Sequence, residues 1–214
     1  MDLRPQELEP REMYRLLVTS VVPRPIAWVS TTDRQGIDNL APFSFFNAFC
    51  ATPPLLGFCP GIRSRELREA RRTGIKDTLR NARETGEFVV NVVPFSVAEQ
   101  MNLTSGEYDA SVDEFEVAGL TKRKSQVIGP PQVAESPISF ECKVYQILDF
   151  GSETAGGSLV IGEIVSVHLA EEVLRNGRLD GQLLDMVGRL GGTQYTRTRE
   201  RFDMNRPGLE PPVK

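Results

Sequence analysis

Two long apolar segments in the second half of the chain place the strongest constraint on its fold. Residues 138–151 and 158–174 are rich in β-branched and aromatic residues, and only the short stretch SETAGG separates them. Such a pair is typical of neighbouring strands in an antiparallel sheet. Elsewhere strand patterns outnumber helix patterns, and they do not alternate with helices as a parallel βαβ sheet requires. We therefore expect a mainly β protein with peripheral helices, built as a closed or partly closed antiparallel barrel.

Length and charge exclude several classes of protein. The chain has 214 residues, which suits one domain with a sizeable core, and its net charge of −4 argues against general nucleic-acid binding. Apolar runs stay well short of the roughly 18–20 residues of a membrane-spanning helix. The first residues also lack the apolar segment of a secretory signal. These features predict a cytoplasmic protein that does not associate with membranes.

The residues that usually carry catalysis are scarce. Cys50, Cys59 and Cys142 form no CxxC pair, and His168 is the single histidine, so neither a disulfide framework nor a metal site is expected. Phosphate-loop, dinucleotide-fingerprint, GxSxG and HExxH motifs are all missing from the sequence. We therefore identify no catalytic residue and expect any chemistry to depend on a cofactor.

The stretch NLAPFSFFNAF combines aromatic and polar residues in an unusual way. It forms most of the second of two predicted β-segments, which are Ile26–Thr32 and Leu40–Phe49. Four of the eleven phenylalanines fall within residues 43–49, yet Ser44 and Asn47 stand among them. A strand with small and polar residues on one face could accept a flat ligand close to its backbone. Equally, the polar groups could bond to turns of an ordinary barrel strand, and the pattern does not separate these interpretations.

A second candidate lies at residues 76–86. Asp77 is a suitable N-cap, Gly86 is a suitable stop, and the residues between have helical spacing. A helix N-terminus flanked by Lys76 and Thr78 would suit a phosphate group. The alternative is a capped surface helix with Lys76 in solvent. The basic connection over residues 63–76, which has six Lys or Arg against two Glu, favours the phosphate and adds Arg63 and Arg65 as other possible partners.

Three stretches together resemble a known family. Residues 20–58 (SVVPRPIAWVST…NLAPFSFFNAF…LLGF), residues 76–93 (KDTLRNARETGEFVVNVV) and residues 187–195 (VGRLGGTQY) resemble the flavin reductase-like, FMN-binding split-barrel family. Its members include flavoredoxins and the reductase components of two-component flavin monooxygenases, such as the nitrilotriacetate type. The resemblance covers roughly residues 14–200 in order. The basic connection before KDT is longer than is usual in the family.

The resemblance implies a six-stranded antiparallel split β-barrel with Greek-key connections, usually a homodimer, with noncovalent FMN near the dimer interface. It implies that the flavin ring lies against Trp28, Ser30, Thr31, Asn39, Ala41 and Pro42. It places the ribityl-phosphate near Ser44, Asn47, Lys76, Asp77 and Thr78, and it puts Arg189 and Tyr195 near the flavin or the nicotinamide entrance. Residues 1–200 would form this single domain, and residues 201–214 would be a C-terminal tail.

The implied function is an NAD(P)H-dependent flavin reductase. Such an enzyme passes a hydride from the nicotinamide to FMN and supplies reduced flavin or electrons to a partner oxygenase or redox protein. A non-enzymatic FMN electron carrier of the flavoredoxin type is the alternative. A flavin-free ligand-binding or structural barrel is a third hypothesis, and the sequence does not separate the first two.

Overall fold

The structure is a computed structural model that describes residues 1–63, 66, 68–69, 73–151, 156–205 and 207. Most of the SETAGG linker, Arg65 of the basic connection and the end of the predicted tail lie outside these residues. The strands are β1 Ala27–Thr32, β2 Asp38–Phe43, β3 Phe46–Ala51, β4 Pro54–Phe58, β5 Glu87–Asn91, β6 Lys122–Arg123, β7 Gln132–Val133, β8 Ile138–Asp149, β9 Ser158–Leu169, β10 Leu174–Arg175, β11 Arg178–Leu179, β12 Val187–Arg189 and β13 Tyr195–Arg197. The α-helices are α1 Pro10–Ser20, α2 Asp77–Thr85, α3 Ala98–Leu103, α4 Glu114–Ala118 and α5 Gly181–Leu184, and 3-10 helices cover Pro5–Glu7, Phe95–Val97 and Glu171–Val173.

The main sheet has seven strands in the order β2-β1-β5-β8-β9-β4-β3, and all of its neighbouring strands are antiparallel. Strands β8 and β9 form the longest pairing, from Ile138 opposite Leu169 to Asp149 opposite Ser158. This confirms that the two long apolar segments are neighbours. The pairs β6–β7, β10–β11 and β12–β13 form separate two-stranded ribbons.

The connection between β2 and β3 closes this sheet into a barrel. The two strands occupy opposite edges, yet only Ser44 and Phe45 join them. Three Cα–Cα steps reach at most about 11 Å, whereas the edges of a flat seven-stranded sheet would lie about 29 Å apart. The sheet must therefore curl until its edges approach each other. The predicted mainly β split barrel is confirmed, but the single segment Leu40–Phe49 is wrong: the chain crosses between edges at Ser44, which gives seven strands where six were expected.

Two cores lie on the two faces of β1. Ala27 and Val29 point into the barrel, where the rings of Phe43 and Phe88 both pack against Phe58, with centroids 5.1 and 5.2 Å from it. The alternate residue Trp28 points outward into a second core with Phe115, which lies under the helices. The first core fills the barrel, and the second attaches α3 and α4 to its outer wall.

Candidate functional site

Three clefts adjoin one another at the end of β2, and Pro42 lines all of them. The aromatic cleft, about 750 Å³, is lined by rings that include Tyr14, Phe43, Phe45, Phe46, Phe49 and Phe150. The helix cleft, about 160 Å³, lies at the start of α2 and is lined by Asn39, Ala41, Arg63, Lys76, Asp77, Thr78, Glu107 and Glu114 among others. The arginine cleft, about 500 Å³, is lined by Arg11, Tyr14, Arg15, Arg24, Ser44, Arg189 and Tyr195 among others. The structure thus brings Pro42, Ser44, Asn47, Lys76, Arg189 and Tyr195 to connected surfaces.

The aromatic cleft has the shape and chemistry to accept a flat ring. Phe45 and Phe49 are both exposed, and the Tyr14 and Phe45 rings are stacked with their centroids 6.3 Å apart. Phe49 lies directly over Gly57, where a Cβ atom would approach the Phe49 ring to 2.6 Å. Stacked and offset arrangements are favourable between aromatic rings, so these side chains offer a wall for a planar aromatic ligand. Asn47 lies at the same cleft, on the exposed strand β3.

The start of α2 lies at the helix cleft. Lys76 is its N-cap and makes no side-chain capping hydrogen bond, while Gly86 ends the helix in the left-handed conformation with φ of 74°. The prediction for Gly86 is therefore confirmed, but the prediction that Asp77 is the N-cap is wrong. Asp77 is instead the first residue of the helix, and its carboxylate binds Arg63 Nη2 at 2.5 Å and Arg80 Nη1 at 2.6 Å. The N-terminus of α2 thus lies at the helix cleft without a capping hydrogen bond from the Lys76 side chain, and a helix N-terminus favours an anion.

Charges around the helix cleft are largely paired. The buried guanidinium of Arg63 contacts Asp77 and Glu107, and it donates to the carbonyl oxygen of Ile75. Arg63 therefore holds the two ends of the basic connection together, and three of its five N–H donors are engaged in these contacts. Lys76 Nζ lies 3.5 Å from Glu107 Oε1, and its side chain keeps 34% of its exposure. Among the described residues of this cleft, Lys76 is the cation best placed to meet a ligand anion.

Several predicted site residues belong instead to a buried polar network around Glu114. Its carboxylate accepts hydrogen bonds from Asn39 Nδ2 at 2.8 Å and from the Leu40 N–H at 2.9 Å. The Thr78 hydroxyl donates to Asn39 Oδ1 at 2.8 Å. Thr31 lies in the same network, where its hydroxyl accepts from Asn81 Nδ2 at 3.1 Å. Thr78 is almost fully buried, so its hydroxyl positions Asn39 rather than facing the cleft.

Burial raises the pKa of the Glu114 carboxyl, although its hydrogen bonds from Leu40 and Asn39 act in the opposite direction. The negative charge of Asp77 raises this pKa further. Nothing in the sequence distinguished Glu114, because an acidic residue in the short helical pattern DEFEVA is typical of a solvated helix face. Only the fold reveals that this carboxylate fixes Asn39 and the β2 backbone.

Trp28 and Ser30 lie away from the clefts. Both side chains are fully buried: Trp28 Nε1 donates to Thr104 Oγ1 at 2.9 Å, and Ser30 Oγ donates to the Pro131 carbonyl at 2.5 Å. Strand β1 is an interior strand that is covered on both faces. The side chains of Trp28 and Ser30 therefore support the wall behind the three clefts.

Arg24 is a site residue that sequence reasoning missed. Its guanidinium donates to the carbonyls of Val18 at 2.6 Å, Val21 at 2.8 Å and Leu190 at 2.9 Å. The backbone of Arg24 also pairs with Arg189, whose guanidinium carbon lies 4.4 Å from the Tyr195 ring centroid. An arginine between two prolines carries no recognisable local signal, so its role emerges only from contacts made across the chain.

Two features are missing from the described residues: a cluster of metal-ligating side chains and a membrane-spanning helix. They contain no group of three or more His, Cys, Asp or Glu side chains placed to hold a metal ion. None of the helices in the described ranges has both the length and the apolar composition that a membrane-spanning helix needs. His168 lies on β9 opposite Ser139 and lines none of the three clefts.

Comparison with known proteins identifies the family. The sequence pattern of the flavin reductase like domain matches residues 19–193. The chain belongs to this family. A relative from Halalkalibacterium halodurans, which carries no functional name, is 40% identical over 211 residues and covers 98% of both chains. The family region, residues 19–193, includes Pro42, Ser44 and Lys76. Arg11, Tyr14 and Arg15 precede this region and line one side of the arginine cleft.

Two solved structures of the flavin reductase-like fold are similar throughout. Nitrilotriacetate monooxygenase component B from Bacillus cereus superposes with a TM-score of 0.87 at 33% identity, covering 95% of this chain and 98% of its own. The 2-nitrobenzoate 2-nitroreductase of Pseudomonas fluorescens superposes with a TM-score of 0.84, also at 33% identity, covering 99% and 98%. Both agree with the barrel described above over nearly the whole chain.

Proposed function

We propose that the protein is an FMN-binding flavoprotein that acts as an NAD(P)H-dependent flavin reductase. The observation that carries this proposal is the junction of the aromatic cleft with the uncapped start of α2. A flavin mononucleotide combines a planar aromatic ring with a phosphate, and these adjoining clefts offer a wall for the first and backbone donors for the second. Lys76 lines both clefts and would hold the phosphate end.

Some residues would contact the flavin directly, and others would act by holding those residues in place. Phe45 and Phe49 would contact the ring and exclude water from it, while Pro42 and Ser44 would meet the ring edge. Asn39 and Thr78 would act indirectly, because they fix the β2 backbone and the start of α2 from behind. When bound, FMN would supply the capacity to accept a hydride from a reduced nicotinamide. The protein would then position the reactants and supply the electrostatic environment. In keeping with this, the described residues that line the three clefts include no histidine, and so no His–Cys nucleophile pair.

Family membership and the named relatives support the reductase. One similar structure is a monooxygenase component and another is a nitroreductase, and both names describe redox proteins. We propose that a partner oxygenase or redox protein receives the reduced flavin or its electrons. An electron carrier would share the flavin site but would not react with free nicotinamides, so kinetics separates the two functions.

Anaerobic mixing of the FMN-loaded protein with NADH or NADPH is expected to bleach the visible absorbance of the flavin within seconds. Purified protein is also expected to bind FMN with one-to-one stoichiometry, measured by quenching of flavin fluorescence. Tight FMN binding without bleaching would reject the reductase in favour of the carrier. Absence of FMN binding would reject both.

We also propose that the protein is a homodimer. Strand β3 lies at an edge of the sheet and carries exposed rings, and Phe49 and Phe150 are 53% and 64% exposed. Exposed edges and apolar patches favour association. Light scattering at micromolar concentration is expected to report about twice the monomer mass of 23.8 kDa.

The variant Phe49→Glu is expected to shift the dimer toward monomer, because it puts a charge into the proposed interface. Val127→Glu is the matched control, since Val127 is 53% exposed on a loop away from β3. A wild-type protein that scatters as a single 23.8 kDa species would contradict the dimer.

A further inference from the structure

The arginine cleft concentrates positive charge in an otherwise acidic protein. Four arginines line it (Arg11, Arg15, Arg24 and Arg189), and no Asp or Glu is among its described lining residues. None of the four forms an ion pair within the described part of the chain. The whole chain carries a net charge of −4, so the cleft departs from the general charge of the surface. A concave surface of one sign focuses the electrostatic potential and attracts an opposite charge.

Arg24 forms the fixed base of this charge. Its side chain is buried, and it donates to three carbonyls and, at 3.3 Å, to Ser44 Oγ. These acceptors are neutral, so they satisfy its N–H groups without cancelling its charge. Burial lowers the pKa of the Arg24 guanidinium, and although Tyr14 raises it, the nearby charge of Arg189 lowers it again. An anion in the cleft would relieve this repulsion.

Helix α1 supplies two further arginines. Arg11 and Arg15 are one turn apart on the same face of the helix, both are exposed, and Val18 continues that face into the cleft. The two carbonyls of Val18 and Val21 that bind Arg24 hold the end of α1 against the barrel. Glu12, on the same helix, is turned to the helix start, where its carboxylate accepts from the Glu9 N–H at 3.0 Å. The helix that carries Arg11 and Arg15 is thus held in place, and both arginines line the same cleft as Arg24 and Arg189.

We propose that the arginine cleft binds the diphosphate of the nicotinamide dinucleotide. Guanidinium groups pair with phosphate oxygens through two parallel hydrogen bonds, and several arginines suit a diphosphate better than a single carboxylate. The volume of about 500 Å³ lies within the range of small-molecule sites. Pro42, Ser44 and Tyr14 line both this cleft and the aromatic cleft, so a dinucleotide held here can extend its nicotinamide toward the proposed flavin. The choice of a nicotinamide dinucleotide as the ligand rests on the proposed function, whereas the affinity of the cleft for a diphosphate does not.

The test uses the double variant Arg11→Gln with Arg15→Gln. The matched control is Arg4→Gln with Arg34→Gln, which removes the same charge from two exposed arginines that pair with Glu7 and Glu84 away from the cleft. Calorimetric titration with ADP-ribose, which has the diphosphate but no redox-active ring, is expected to show binding at least about tenfold weaker in the double variant. The control variant is expected to bind ADP-ribose like the wild type, and FMN affinity is expected to be unchanged in both.

Steady-state kinetics gives a second readout. The KM for NADH is expected to rise in the double variant, while turnover of N-benzyl-1,4-dihydronicotinamide, which lacks the diphosphate, is expected to be unchanged. Equal ADP-ribose affinity in wild type and double variant would overturn the proposal. A parallel loss of FMN affinity would also overturn it, since the cleft would then hold the flavin phosphate, as would arginine-dependent binding of benzoate without binding of ADP-ribose. Arginine-dependent ADP-ribose binding in a protein that NADH does not reduce would support the cleft assignment and reject the reductase.

Discussion

Replacing Glu114 by alanine is expected to lower the free energy of unfolding by about 2–6 kcal/mol. The substitution leaves the Leu40 N–H and Asn39 Nδ2 without their buried acceptor, and each unsatisfied donor costs about 1–3 kcal/mol. Glu114→Gln is expected to cost about half as much, because glutamine offers one carbonyl oxygen to two donors. Urea denaturation followed by circular dichroism measures both, and Glu116→Ala, exposed on the same helix, is the control expected within about 0.5 kcal/mol of wild type.

The pH dependence of the same variants checks the protonation state of Glu114. Its pKa is raised in the folded protein above the ordinary 4.5, so the native state binds the proton more tightly than the unfolded state does. Stability from this group therefore falls as pH rises from about 4.5 through the folded pKa. The difference in unfolding free energy between wild type and Glu114→Gln is expected to follow that fall. A difference that does not vary with pH, or a Glu114→Ala protein as stable as wild type, would contradict the buried network.

Lys76→Ala is expected to weaken FMN binding about ten- to a hundredfold while leaving riboflavin binding nearly unchanged. The two ligands differ by the phosphate, and a charge-assisted hydrogen bond contributes about 1.5–3 kcal/mol. Paired fluorescence titrations with FMN and riboflavin measure the difference directly. Arg83→Ala is the control, since it removes a charge of the same sign from the other end of α2, where Arg83 pairs with Asp149 at 2.5 Å.

Equal losses for both ligands in Lys76→Ala would show that the lysine supports the fold and that the phosphate lies elsewhere. Thr78 is a different case, although sequence reasoning grouped it with Lys76. Its hydroxyl is buried and donates to Asn39, so Thr78→Val should reduce stability and affect FMN and riboflavin alike.

Periodicity and turn residues were sufficient to predict some of the local elements. The pairing of β8 with β9 followed from two apolar runs with a short glycine-containing link, and the end of α2 followed from Gly86. The split between β2 and β3 could not be predicted in this way. Ser44 and Phe45 continue the aromatic pattern without Gly or Pro, and the break arises because the two strands pair with different partners far along the chain.

The candidate site was predictable where residues face outward and hidden where they act through others. Pro42, Ser44 and Lys76, which the family resemblance placed near FMN, lie at connected clefts. Glu114 and Arg24 went unnoticed because their importance depends on burial, which a local pattern does not encode for a charged residue. Trp28 is the opposite case: it stands in a motif that sequence reasoning recognised, but its side chain is buried in the second core. The roles of the predicted residues toward FMN remain predictions that the titrations above address.

Ser44 lies at the two-residue crossing between β2 and β3 and lines both the arginine cleft and the aromatic cleft. These clefts therefore lie on the seam where the two edges of the sheet approach each other. A ligand held there bridges both margins of the seam, and it can do so only after every intervening strand has joined the barrel. Cofactor capture would thus report complete assembly of the domain, and ligand at a hundred times its Kd would add about 2.7 kcal/mol to the stability of the whole barrel. A substitution far from these clefts that weakens the pairing of any strand in the barrel should therefore release the cofactor as well. Loss of yellow colour in a distant variant would then be a sign of an open seam, and it would not by itself identify a ligand contact.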